Sequence, residues 1–290
     1  MFSSLTDKLK RSWLLTRITL RIVFTHDREL LVFPLVTGLL VVGASLTSTF
    51  VVSKSASIVS VRMHTDPGIF SAVLLLLLLT NTLFGMCITH TTRVRLEGGD
   101  ASLWQSLKFG LRNYHRALAW MMCSLAAASL LTSLRKSSNK VGVLGRWLLR
   151  PIASLLEVAW GIAKLLVIPA IVYEGHGPID ALRASVQAIK RTWGEALTRH
   201  LGFRAISNVL YFIGILAALV AAFVPPAGST AQLIGFQVVI AYFTAVIVLF
   251  HLVNTVFNTA LYHYATRGEA GLGFSREILE GSIRREPAGE

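Results

Sequence analysis

Six long apolar stretches constrain this chain more than any other feature. They run from Leu30 to Val52, Ile69 to Thr92, Ala117 to Leu134, Pro151 to Tyr173, Ala205 to Val224 and Ala231 to about Tyr264, and the segments between them carry nearly all of the charge. A helix needs roughly 20 apolar residues to cross the hydrocarbon of a bilayer, and each stretch approaches or exceeds that length. Inside lipid every backbone N–H and C=O must find its partner within its own segment. These continuous stretches are too long for barrel strands, so helices are expected. The predicted fold is an all-α polytopic transmembrane bundle with six spans in three hairpins.

Composition agrees with a bilayer as the main solvent: 53% of residues are hydrophobic, only 15% are charged, and mean hydropathy is +0.61. Soluble domains carry roughly 25% charged residues. Residues 1–29 have no apolar run of the kind a cleavable signal requires, and they are read as a cytoplasmic amphipathic segment. Residues 30–264 form the six-helix region and 265–290 a cytoplasmic tail, all within one membrane domain.

The net charge of +13 resides at the ends of the spans and forms no stripe with interleaved aromatics, which argues against nucleic acid. With six crossings, twenty of the 28 Lys and Arg fall on the side of the N-terminus and seven on the other. Positive segments stay cytoplasmic, so both termini are expected in the cytoplasm and the protein in the cytoplasmic membrane. Five of the seven opposing cations lie between the third and fourth spans: Arg135, Lys136, Lys140, Arg146 and Arg150.

A weak internal repeat organises the chain. Asn81-Thr82-x-Phe84 followed by His90 recurs as Asn254-Thr255-x-Phe257 followed by His263, with Arg93 and Glu97 after the first and Arg267 and Glu269 after the second. The segments before the odd-numbered spans also share an amphipathic start. Leu5 with Leu9, Leu103 with Leu107, and Leu182 with Val186 each place two apolar residues on one helical face. Cations occupy the other faces, and Trp13, Trp104 and Trp193 suit a helix lying among headgroups. Interfacial helix, span out, span back is therefore the expected unit. Its candidate contacts with anionic lipid headgroups are Lys8, Lys10, Arg11, Lys190 and Arg191.

Only two residues within the spans are charged. Glu157 and Lys164 lie seven apart, on one face of the fourth span, where burial of a charge favours interior partners. With Asn81, Asn254 and Asn258 they are the candidate substrate-binding or coupling residues. Pro34 and Pro169 are candidate hinges because a proline inside a helix frees the carbonyl four residues earlier. Gly214, Ala218 and Ala222 form a small-residue seam that suits close helix packing. The sequence carries no P-loop, HExxH, GxSxG or CxxC motif, and Cys87 and Cys123 both fall inside spans. No metal, cofactor or catalytic residue is expected.

Ser12-Trp13, Glu29-Leu-Leu-Val-Phe-Pro34, Pro169-Ala-Ile-Val-Tyr-Glu174-Gly175-His-Gly177-Pro178, Ala181-Leu-Arg-Ala-Ser185, Trp193-Gly-Glu195 and Ala260-Leu-Tyr262 together resemble an uncharacterised family of prokaryotic multi-pass membrane proteins, a domain of unknown function. The resemblance covers most of the chain and implies no activity. More remotely, Glu-Gly followed by Ala-Leu-x-x-Ser is similar to the membrane portion of some glycerophosphodiester phosphodiesterases. No residue matches their catalytic portion. The expected function is non-enzymatic, lipid-interacting and membrane-organising; the alternative is a small-solute or lipid permease using Lys164 and Glu157.

Overall fold

A computed structural model describes residues 13, 16–21, 28–54, 67–140, 142–192, 204–226, 229–271 and 274. Among these residues there is no strand. A 3-10 turn, Arg28–Leu31, leads into α1 (Val32–Lys54), followed by α2 (Pro67–Leu96), α3 (Leu103–Arg112), α4 (Tyr114–Lys140), α5 (Gly142–Ala163), α6 (Val167–Glu174), α7 (Pro178–Thr192), α8 (Arg204–Phe223) and α9 (Thr230–Arg267). Among the described residues, six helical segments are long and apolar enough to cross a membrane: Glu29–Thr47, Ser71–Leu96, Tyr114–Ser137, Arg150–Glu174, Ile206–Phe223 and Thr230–Arg267.

The helices outrun the apolar stretches. Lys and Arg are good helix formers, so α4 continues through Arg135 and Lys136 to Lys140, and α5 starts at Gly142, leaving only Val141 between them. At 38 residues α9 is about 57 Å long, well beyond a hydrocarbon core of roughly 30 Å. Its ends must tilt or emerge among headgroups.

Both candidate hinge prolines stand at the third position of a helix. Pro34 follows the 3-10 turn into α1, and Pro169 follows a break at 164–166 into α6. The first N–H groups of a helix have no intrahelical acceptor, so a proline there removes nothing. The fourth span is thus discontinuous, with the interruption upstream of its proline.

The chain divides into two compact units, with boundaries inside α2 and α9. In the first unit α1 and α9 pack side by side. Ser45 Oγ donates to Gln237 Oε1 at 2.9 Å, and Gly38 faces Thr244 and Val248. Against the same helix α8 runs the other way: Tyr242 donates to the Leu210 carbonyl at 2.9 Å and Gln232 to that of Ala222 at 3.0 Å. Gly214 allows the close approach, because a Cβ there would stand 2.7 Å from Phe243 Cζ. Gly214→Val is expected to cost about 1–3 kcal/mol through forced separation of α8 and α9, read as a lower detergent melting temperature. Gly43, whose Cβ position is open, is the control: Gly43→Ala should leave the transition unmoved or raised.

In the second unit α4 and α5 lie along each other, with Trp120 near Trp160 (ring centroids 5.9 Å) and Arg135 near Glu157 (3.5 Å). The short α6 is nearly all core: Val167, Pro169, Ala170, Ile171 and Val172 are buried. α7 closes the break ahead of it. Ser185 Oγ donates to the Ala163 carbonyl at 2.7 Å and accepts from the Leu166 N–H at 3.2 Å, pairing a backbone group on each side of the interruption.

Candidate functional site

Among the described residues of the second unit, a polar cluster forms where α2, α6 and α9 end. Each helix stops at a left-handed glycine: Gly98 (φ 80°), Gly175 (φ 68°) and Gly268 (φ 74°). Three C-termini in one place bring together bare carbonyls and the negative ends of three helix dipoles, an arrangement that requires cations. Arg93 and Arg267 supply them. Arg93 Nη1 donates to the carbonyls of Val172 (2.9 Å) and Tyr173 (3.3 Å), and its Nε to Glu97 (3.0 Å). Arg267 Nη2 approaches the same Glu97 oxygen at 2.8 Å. Both guanidiniums also lie over the Tyr173 ring, at 4.7 and 5.9 Å from its centroid.

A second layer joins the same helices. The Tyr173 hydroxyl is 3.1 Å from His263 Nδ1, and the Tyr262 hydroxyl donates to Glu174, whose other oxygen is 2.9 Å from His176 Nδ1. The Arg116 side chain, tied to Asn113 at 2.9 Å, occupies the space over Gly175. A Cβ there would meet Arg116 Nη1 at 3.3 Å, which a small shift of that flexible side chain would relieve, so it is the positive φ that favours glycine. Glu97 lies just beyond the second span. Burial pushes its carboxyl up, but the hydrogen bond and charge of Arg93 and the charge of Arg267 outweigh that and hold it below its ordinary value. Arg93 and Arg267 are engaged by protein acceptors, so the arrangement ties three helix ends together.

The residues singled out from sequence are dispersed. Glu157, half-buried, meets the exposed Arg135, and Lys164 is exposed at the break in the fourth span. Asn81 is exposed; Asn254 and Asn258 are half-buried. Lys190 and Arg191 are exposed in the last turn of α7, whereas Lys8, Lys10 and Arg11 lie outside the described residues. The two histidines of the repeat find different partners. His90 stacks on Phe109 (4.3 Å) and bonds Ser106 at 3.2 Å, while His263 meets Tyr173.

Tyr173 and Tyr262 stand in the motifs quoted for the resemblance, but neither they nor Arg116 are among the candidate site residues read from the sequence. Only an acid and a glycine at 97–98 and at 174–175, and a cation with a glycine at 267–268, mark the three ends. Two of the motifs carrying the resemblance have structural roles here, whereas Ser12 and Trp193-Gly-Glu195 lie outside the described residues. Glu174-Gly175 is the end of α6, and Ala181 through Ser185 is the face of α7 that seals the break. No curated protein and no solved structure matches the chain. The model of a family of unknown function, DUF6159, matches residues 69–272, most of the sequence, and the chain belongs to that family.

Proposed function

We propose that this is a non-enzymatic multi-pass protein of the cytoplasmic membrane, with both termini cytoplasmic, which organises the bilayer by holding anionic lipid against α3 and α7. One observation carries the reading: these two helices turn mainly small residues inward, Ile189 excepted, and leave large apolar residues at Trp104, Leu111 and Ile179 exposed. The buried residues of α3 are Ser106 and Gly110, while Trp104 is 70% and Leu111 56% exposed. The buried residues of α7 are Ala181, Ser185, Ala188 and Ile189, while Ile179 is 60% exposed. A helix at the surface of a soluble protein does the opposite, so the exposed stripe implies an apolar medium. Yet Lys108 and Arg112 on α3, and Arg183 and Lys190 on α7, flank that stripe and are exposed or lie at its edge. Apolar contact beside cations is the environment of the headgroup layer. Residues 16–21 repeat the theme, helical with Thr16 and Thr19 buried and Arg17 and Arg21 outward.

The broken fourth span is the feature a permease would use, since discontinuous helices often line solute sites. Here the Ala163 carbonyl and the Leu166 N–H are already bound by Ser185, and Glu157 and Lys164 do not converge, which supports the lipid reading. Each cation near an anionic surface contributes about 1 kcal/mol. Changing Lys108, Arg112, Lys190 and Arg191 to Gln should reduce anionic lipid retained by the purified protein about tenfold or more in native mass spectra. Unchanged adducts would remove the proposal's support.

A further inference from the structure

The two amphipathic helices share a construction. Each follows an even-numbered span after a left-handed glycine, Gly98 or Gly175, and each returns a serine hydroxyl to the span before it. Ser106 lies 2.7 Å from Thr91 Oγ1, and Ser185 bridges Ala163 and Leu166. At roughly 100° per residue, the apolar stripe follows the buried stripe in the same rotational sense on both. It comprises Leu107, Leu111 and Trp104 on α3, and Leu182, Val186 and Ile179 on α7. The cations come next round the helix. Both helices leave the end of the second unit where Arg93 and Glu97 gather the span termini, whereas α4 and α5 are joined by Val141 alone.

Resting on the lipid reading above, we propose that α3 and α7 form a wedge confined to one leaflet, which makes the protein sort to membrane whose convex side carries them. Laid flat, their 10 and 15 residues would occupy up to roughly 380 Å² of that leaflet, from a rise of 1.5 Å and a width of about 10 Å. A leaflet expanded on one side alone relaxes when that side is convex, which is why partly inserted amphipathic helices are sensitive to curvature.

The test uses the full chain in giant vesicles containing phosphatidylglycerol. Gln187→Cys, exposed on α7, is labelled from outside with a membrane-impermeant dye; Cys87 and Cys123 lie within spans, out of the reagent's reach. Only molecules with α7 outward are then seen when a narrow tube is drawn from the vesicle. Their density in the tube, relative to a lipid dye, should exceed that in the vesicle wall about twofold or more. A variant with Trp104, Leu111 and Ile179 all changed to Ser should show no enrichment. Equal density in tube and wall, or equal enrichment of the serine variant, overturns the wedge. Native mass spectra of the same preparation separate the two claims: no sorting with anionic lipid retained refutes the wedge alone, and loss of both refutes the lipid reading beneath it.

Discussion

Replacing Arg93 by Met should lower the stability of the detergent-solubilised protein by about 1–3 kcal/mol, mainly the cost of leaving two backbone carbonyls without their donor, since the ion pair with Glu97 is itself partly exposed. The loss is large because one guanidinium serves three acceptors on two helices: Glu97 and the carbonyls of Val172 and Tyr173. Without it two carbonyls at the end of α6 lose their donor, Glu97 keeps only Arg267, and the Tyr173 ring loses its nearer cation. Arg93→Lys should recover little, since a point charge on a flexible stem cannot reproduce the planar fork. The exposed Asp180–Arg183 pair offers the contrast, and Arg183→Gln should shift stability by less than about 0.5 kcal/mol.

Acid titration gives the same substitution an independent readout. Because the Glu97 carboxyl is held below its ordinary value, its contribution is complete above the unfolded-state pKa and is lost as pH falls through the lower folded-state value. Stability should therefore decline on acidification into the range below the ordinary carboxylate pKa. The decline should be shallower in Arg93→Met, where one of the two cations is gone. Thermal melts across that range measure both slopes.

Ser185→Ala should be the second costly change, at about 2–4 kcal/mol, because it orphans two backbone groups at once. The Leu166 N–H is fully buried, so no water is at hand there to replace the hydroxyl, and the Ala163 carbonyl is part-buried. The effect should be local: amide hydrogen exchange in α6, Val167 to Glu174, should quicken in lipid nanodiscs while α4 is unaffected. Ser154 is exposed, and Ser154→Ala should change neither quantity. Wild-type exchange in the Ser185 variant would mean that α6 is held by its apolar contacts alone.

The spans were legible in the sequence because crossing hydrocarbon demands length and continuous apolarity, and both are local properties. Helix ends were not. The apolar stretch of the third span stops near Leu134, but Arg135 and Lys136 sustain a helix as well as leucine does, so α4 runs on to Lys140. Pro34 and Pro169 were visible, but whether a proline kinks a helix or begins one depends on what precedes it. A 3-10 turn and the break at 164–166 decided both. The repeat pointed to Arg93 with Glu97 and to Arg267. That the two arginines share one carboxylate depends on how α2 and α9 pack, which residue spacing does not encode. Ser185 stands in one of the family motifs, but its role was illegible for the same reason: a serine in an amphipathic helix is ordinary until a broken span lies against it. The opening of α3 is marked in the sequence by Ser102 and Gln105, which form a reciprocal capping box.

Spin labels read by collision with oxygen, which concentrates in hydrocarbon, and with a water-soluble nickel chelate test the placement of α3 and α7 most directly. Single cysteines at Trp104, Leu107, Leu111, Ile179, Leu182 and Val186 in lipid nanodiscs should favour oxygen, and those at Lys108, Arg112, Gln187 and Arg191 the chelate, alternating with helical period. Chelate access at every position would place both helices in water and contradict the interfacial assignment on which the proposed lipid role stands.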